Sequence, residues 1–230
     1  MSRRPTPPRP PDNPRKTAWE ILLEWEAGTD AVEPVRDRAL RAARLDRRDS
    51  GLVTELTQGT LRHLLFIDHT LQNHLDRPGR PLPGPVLMAM RLGAYQLIHL
   101  HNIPAHAAVD QSVQLIKVSR YKGFAPLVNA VLRKVADKGP TRAPAFEDDP
   151  LRHLELSTST PRWLVEKLVR QEGTGEAAGI LQAMNRTPPL TLRVNTLRSS
   201  REKLMAEFLA AGIDVIPGRL SPTAIKVEGH

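Results

Sequence analysis

The 230-residue sequence contains no cysteine, which excludes a disulfide framework, a thiolate metal site and a cysteine nucleophile on this polypeptide. Aromatic residues make up only 4%, too few for base stacking to be the main device for holding a nucleic acid. The longest apolar runs are interrupted by Arg91, Gln96 or Lys117 well before they reach membrane-spanning length. No alternating apolar–polar segment of the kind that marks a strand occurs before residue 140. A glycine-rich turn between a strand and a helix is also missing, the 14 glycines being scattered among caps and turns. No apolar stretch follows the basic, proline-rich N-terminus, so it does not read as a secretory signal. The cytosol is the expected compartment.

What is present suffices for a globular core. Apolar residues make up 40% and charged residues 25%, a balance that excludes wholesale disorder. The net charge is +8 and favours a polyanionic partner. Its distribution is uneven. Residues 1–16 carry +4, residues 17–138 carry +3, and residues 139–230 carry +1. Half the excess sits on the N-terminal tail, where it serves either nucleic-acid binding or plain solubility.

Six prolines interleaved with Arg3, Arg4, Arg9 and Arg15 make residues 1–16 an extended, unfolded segment in expectation. Thr17 and Glu20 form a capping box, and Ala18, Ile21, Leu22 and Trp25 follow at helical spacing. Asp30 and Glu33 repeat the signature ahead of Val35, Leu40 and Ala43. A long helical stretch is predicted from Arg47 to Leu75, with Gly59 inside it as a break or a close helix–helix approach. After a Pro/Gly connector, the segment from Val86 to Leu100 is apolar nearly all round, as befits the central helix of a bundle. Pro104 opens another helix, and Gly123 to Lys138 a further one in which Asn129 interrupts the apolar face. Residues 17–138 therefore read as an all-helical domain.

Residues 139–150 read as a linker, rich in proline and acids. Beyond it, Thr160 and Pro161 start a helix through Trp163, Leu164 and Leu168, and a second runs from Glu176 to Asn185. Leu190 to Asn195 alternates as a strand, Ser199 and Glu202 box a helix to Gly212, and Ile213–Ile216 and Ala224–Glu228 read as short strands. The expected fold class is mainly α, a helical bundle followed by a small α+β domain over residues 151–230.

Particular strings carry a family likeness. MRLGAYQLIHLHNIPAHAAVDQSVQLIK (Met90–Lys117), LVNAVLRKV (Leu127–Val135) and LVTELTQGTLRHLLFIDHTL (Leu52–Leu71) resemble the all-helical RNA-binding fold of the antitermination factor NusB. STPRWLVEKLVRQEG (Ser159–Gly173) and MNRTPPLTLRVNTLRSSREKL (Met184–Leu204) look like the segment that follows this fold in RsmB-type ribosomal RNA methyltransferases. The resemblance implies a front end that docks ribosomal RNA ahead of a Rossmann-like domain. In the family that domain binds S-adenosylmethionine and methylates carbon 5 of a cytosine in small-subunit rRNA. The sequence departs from the family there. Carbon 5 becomes nucleophilic only after a thiolate adds to carbon 6, and no cysteine is present. No catalytic residue and no cofactor are therefore expected on this chain. A stand-alone antitermination factor, with a single-stranded RNA element and a ribosomal protein as partners, and a purely protein-binding scaffold stand as alternatives. Membrane and DNA are not expected partners.

Three basic groups are candidate RNA contacts, because arginine's planar fork meets phosphate oxygens in pairs. The first is Arg15 and Lys16, with Arg3, Arg4 and Arg9 reaching further; the resemblance points to the start of the first helix as an RNA contact in NusB-type domains. The second is Lys117, Arg120 and Lys122 at a helix end, with Arg133 and Lys134 on the next helix; for Lys117 and Arg120 a favourable interaction with the helix dipole serves equally well. The third is Arg186, Arg193 and Asn195 around the first strand, where Arg193 projects opposite Leu192 and Val194. Asn129 is expected to bridge the bundle by a hydrogen bond, and Trp19, Trp25 and Trp163 to pack. His99, His101 and His106 match no zinc spacing, and no metal is expected.

Overall fold

The structure, a computed structural model, describes residues 12–28, 31–186 and 188–228. They form two compact units that divide between Gln182 and Ala183. In the first unit, α1 (Pro14–Ala27), α2 (Val32–Ala42), α3 (Arg47–Arg62), α4 (Leu64–His74), α5 (Gly84–His99), α6 (Ala105–Lys117) and α7 (Ala125–Lys138) build the bundle. Two more helices follow, α8 (Pro150–Ser157) and α9 (Arg162–Met184).

Helix α1 starts three residues before the predicted box. Asn13 caps it by accepting from the backbone N–H groups of Arg15 (2.9 Å) and Lys16 (3.3 Å), and Pro14 sits where its missing N–H costs nothing. Asp12 is tied as well, its carboxylate accepting from the Arg44 N–H at 3.0 Å. Order therefore reaches into the segment read as an unfolded tail. The predicted cap Asp30 lies outside the described residues.

The long Arg47–Leu75 stretch is two helices, broken at His63. Gly59 is the close approach rather than the break. A methyl group there would lie 2.0 Å from Cζ and from Oη of Tyr95, so α3 and α5 meet over a position that tolerates no side chain. As its all-round apolarity requires, α5 is the hub, packing against α1, α3, α4, α6 and α7. Val86, Met88, Ala89, Met90, Leu92 and Ala94 are fully buried on it, and each larger side chain contributes roughly 1.5–3 kcal/mol. The charged residue of this helix, Arg91, is also paired. Arg91 grips Asp68 of α4 through two hydrogen bonds of 2.8 Å and reaches Glu26 of α1 at 3.1 Å.

Helix α8 falls in a stretch where no helix was predicted, capped by Asp149, whose side chain accepts from the Arg152 N–H at 2.9 Å. It packs against α4. The α4 N-terminus lacks a cap of its own, and Ser159, held at φ 48°, supplies one by accepting from the Phe66 N–H at 3.0 Å. These contacts join α8 and the start of α9 to the first unit, later in the chain than the 139–150 linker. Helix α9 is kinked at Gly173, whose φ of 79° suits glycine. Its buried face is Val165, with Leu168 and Val169, set against Leu154 and Leu181.

Trp19 packs as expected, 9% exposed with Nε1 donating to the Pro85 carbonyl at 3.0 Å, and Trp25 packs partly buried against the same core. Trp163 does not pack. It is 65% exposed, because the buried face of α9 lies on the opposite side.

The second unit contains β1 (Thr191–Arg193), α10 (Arg201–Ala210), β2 (Val215–Pro217) and β3 (Ala224–Val227). The sheet is antiparallel in the order β1-β3-β2. Val194, Val215 and Ile225 form its core with Leu204, Met205 and Phe208 of α10. Ser200, not Ser199, caps α10, its hydroxyl accepting from the Lys203 N–H at 3.2 Å.

Candidate nucleic-acid interface

The first basic group is only partly a free surface. Arg15 is half-buried at the start of α1, where its Nε donates to Oε1 of Gln96 on α5 at 2.7 Å. Gln96 is 1% exposed and is held in turn by Nε2 donating to the Leu92 carbonyl at 2.9 Å. Burial lowers the Arg15 pKa from its ordinary value, and the charge of Asp49 opposes that shift; an arginine stays charged regardless. With Nε engaged, the terminal nitrogens make no hydrogen bond among the described residues. The cap residue Asn13 adds a tie to α6, its Nδ2 donating to Gln111 Oε1 at 3.2 Å. Lys16 is exposed and lies 3.6 Å from Glu20 one turn on. Arg3, Arg4 and Arg9 lie outside the described residues.

The second group is divided by the structure. Lys117 and Arg133 line a groove of about 540 Å³ between α6 and α7. Its floor is apolar, with Val109, Val113 and Ala125, and its other polar lining is His106, Asp110, Asn129 and Asp137. Two acidic side chains thus accompany two basic ones. Asn129 does not bridge the bundle; its Oδ1 accepts from Arg133 Nε at 3.3 Å on the same helix, because its side chain opens into this groove. Lys134 faces elsewhere, bonded to Asp76 at 2.5 Å and to the His74 carbonyl at 3.4 Å. The same lysine holds the Asp76 carboxyl below its ordinary range. Arg120 lies over the Tyr121 ring, 4.9 Å from its centroid, and donates to its hydroxyl at 2.7 Å. Lys122 is exposed in the 3₁₀ turn before α7.

In the second unit, Arg193 pairs with Ala224 and Thr191 with Lys226, while Leu192 pairs with Ile225. Ile225 belongs to the core with α10, so Arg193 and Lys226 share the other face of the sheet. Lys226 is bonded to Glu228 at 2.7 Å. Asn195 shapes the turn out of β1, its Oδ1 accepting from the Leu197 N–H at 3.1 Å. Arg186 is exposed.

Sequence reasoning passed over two features. Arg77 and Arg80 line a cavity of about 290 Å³ with Leu82, Phe124 and Leu127; the connector's prolines drew the reading away from its arginines. On the outer side of α9, Trp163, Lys167 and Arg170 are all exposed. The spacing i, i+4, i+7 was the available signal there.

The imidazoles of His63 and His99 stack with centroids 4.0 Å apart, and Tyr95 stacks on His99 at 5.2 Å. The Tyr95 hydroxyl donates to the Glu55 carboxylate. Burial, then the neighbouring His63 and His101, pushes His99 down to about 4. His63 is also lowered, by burial first and Arg62 second. Among the described residues, no three His, Asp or Glu side chains are placed to hold a metal ion, and no helix is long and apolar enough to cross a membrane.

Residues 12–137 match the model of the NusB family, and the chain belongs to that family. Residues 160–230 match a second model, described as the ferredoxin-like domain of RsmF/B-like methyltransferases. Among relatives, the probable ribosomal RNA small subunit methyltransferase B of Bacillus subtilis is 33% identical, over 93% of this chain and 47% of its own length. The ribosomal RNA small subunit methyltransferase B of Pseudomonas putida is 32% identical, over 87% of this chain and 44% of its own. The chain thus spans about half the length of the curated relatives it matches. The crystal structure of the protein PH0851 shares the fold, with a TM-score of 0.66 at 18% identity, covering 97% of this chain and 49% of that one.

Proposed function

We propose that the chain is the RNA-docking part of a small-subunit ribosomal RNA cytosine-5 methyltransferase of the RsmB type, holding ribosomal RNA while chemistry occurs elsewhere. The observation that carries this reading is the order of its two domains, a NusB-family bundle followed by the RsmF/B-type ferredoxin-like domain. Relatives that align across both domains carry methyltransferase names, which favours it over a stand-alone antitermination factor with a ribosomal protein partner. The net charge of +8 suits a polyanion.

S-adenosylmethionine, the cofactor of the resembled family, does not fit the residues present. The turn from β1 into α10, Val194 to Ser200, contains no glycine to let backbone approach a cofactor closely. The cysteine that would add to carbon 6 of cytosine is absent from the chain. No catalytic step is therefore assigned to these residues, and their work is binding and orientation.

A salt titration of binding to a small-subunit rRNA fragment tests the reading. Docking through several phosphates requires log K to fall linearly with log salt, by about 0.7–0.9 per phosphate neutralised. Absence of binding at low salt, or a slope near zero, overturns it. The same titration on a chain beginning at Asp12 tests Arg3, Arg4 and Arg9; unchanged affinity removes them from the interface.

A further inference from the structure

We propose that the outer face of α9 is a single-stranded RNA contact, in which Trp163 stacks on an unpaired base and Lys167 and Arg170 hold the flanking phosphates. The proposal rests on the RNA-docking reading and names a surface for it that neither the family match nor the sequence patterns assign. Trp163 is 65% exposed on a helix whose other side is anchored by Val165, Leu168 and Val169. Helical periodicity sets Trp163, Lys167 and Arg170 within a stripe about 60° wide. Along the axis the two cations follow the ring by about 6 and 10 Å, within reach of the backbone of one or two nucleotides.

The charge on this face is uncompensated. Glu166, at the edge of the stripe, is bonded to Arg162 at 2.8 Å, and Glu155 is bonded to Arg152 at 2.9 Å. Lys167 and Arg170 make no ion pair among the described residues. An aromatic ring beside two free cations is the pairing that single-strand binders use, the ring taking the base and the cations the phosphates. A protein partner is the less suited occupant. Lys167 and Arg170 share the stripe with Trp163, and Glu166 and Gln171 flank it, whereas the core around an aromatic anchor in a protein interface is depleted in lysine and glutamate.

The test uses the whole chain, a short unstructured RNA oligonucleotide and the intrinsic fluorescence of tryptophan. Trp19 and Trp25 are packed, so stacking on Trp163 quenches an exposed emitter. We expect quenching that saturates with RNA, absent in Trp163→Phe although that variant still binds. Trp163→Ala weakens binding about tenfold, the loss expected when one stacked base is released. Lys167→Gln with Arg170→Gln lowers the salt slope by about 1.4. All three side chains are exposed, so melting curves stay unchanged. If the wild-type chain binds the oligonucleotide but none of these variants alters affinity, quenching or slope, the α9 contact is overturned and the docking reading stands. If the wild-type chain binds no RNA, both fall. Burial of Trp163 by self-association, seen as a blue-shifted emission that depends on protein concentration alone, also overturns the contact.

Discussion

Arg15 and Gln96 join α1 to α5 through one charge-assisted hydrogen bond of 2.7 Å, made by the guanidinium Nε to a buried amide oxygen. The bond fixes the side chain while its terminal nitrogens remain available for a phosphate. Arg15→Ala is therefore expected to act twice. It strands a buried acceptor, which lowers stability by about 1–3 kcal/mol, and it removes the proposed phosphate contact, which lowers the salt slope of RNA binding by about 0.7–0.9. Lys16→Ala, at an exposed site with a 3.6 Å ion pair, changes stability by less than about 1 kcal/mol. Urea denaturation and salt titration of the two variants separate these effects.

Gly59 offers a sharper test of packing. Alanine is the better helix former by about 1 kcal/mol, yet its methyl would meet the Tyr95 ring at 2.0 Å. That ring is buried, stacked on His99 and bonded to Glu55, so it cannot swing aside. Gly59→Ala is expected to destabilise by about 1–3 kcal/mol. Combining it with Tyr95→Ala should recover part of the loss, and a double-mutant cycle in denaturant measures the coupling.

Much of this architecture was legible because it rests on periodicity. The apolar circumference of Val86–Leu100 announced the hub helix, and the alternation of Leu190–Asn195 announced β1. Caps were less readable, because several candidates compete within a few residues: Asn13 displaced Thr17, and Ser200 displaced Ser199. Helix α8 escaped notice because its eight residues are sheltered by α4 rather than by a strong pattern of their own. The candidate surface was harder still. A pattern counts Lys134 as free when a distant acid, Asp76, already holds it. It places Trp163 in an apolar stripe when Val165, Leu168 and Val169 own the buried side. Partners remote in sequence decide both outcomes, and no local spacing encodes them.

Acid should weaken the bundle through the His63–His99 stack. His99 is pushed down to about 4 in the folded chain, by burial first and then by His63 and His101, against about 6.5 unfolded. The unfolded state therefore binds the proton more readily. Stability from this group is complete above pH 6.5 and is lost as pH falls from 6.5 towards 4. The site is partly open to water, so the effect is discounted to about 1 kcal/mol. Denaturation midpoints across that interval should decline in the wild type and decline less in His99→Gln. Parallel curves would show that His99 does not carry the dependence.

The α6–α7 groove separates cations that can serve RNA from those that cannot. Lys117 and Arg133 line it, but Asp110 and Asp137 line it too, and two carboxylates repel a phosphate backbone as surely as two cations attract it. An RNA strand in this groove would thus be held weakly unless the acids were removed. Lys117→Gln with Arg133→Gln is expected to lower RNA affinity by less than the Arg15→Ala change, about two- to threefold, whereas Asp110→Asn with Asp137→Asn should raise it and steepen the salt slope. Lys134→Gln should leave affinity unchanged, since its ammonium is engaged by Asp76 and the His74 carbonyl. Filter binding of the three variants against one rRNA fragment decides the matter. If the acid-to-amide change leaves affinity untouched while Lys134→Gln weakens it, the strand runs over the Lys134 side of α7, and the groove is not part of its path.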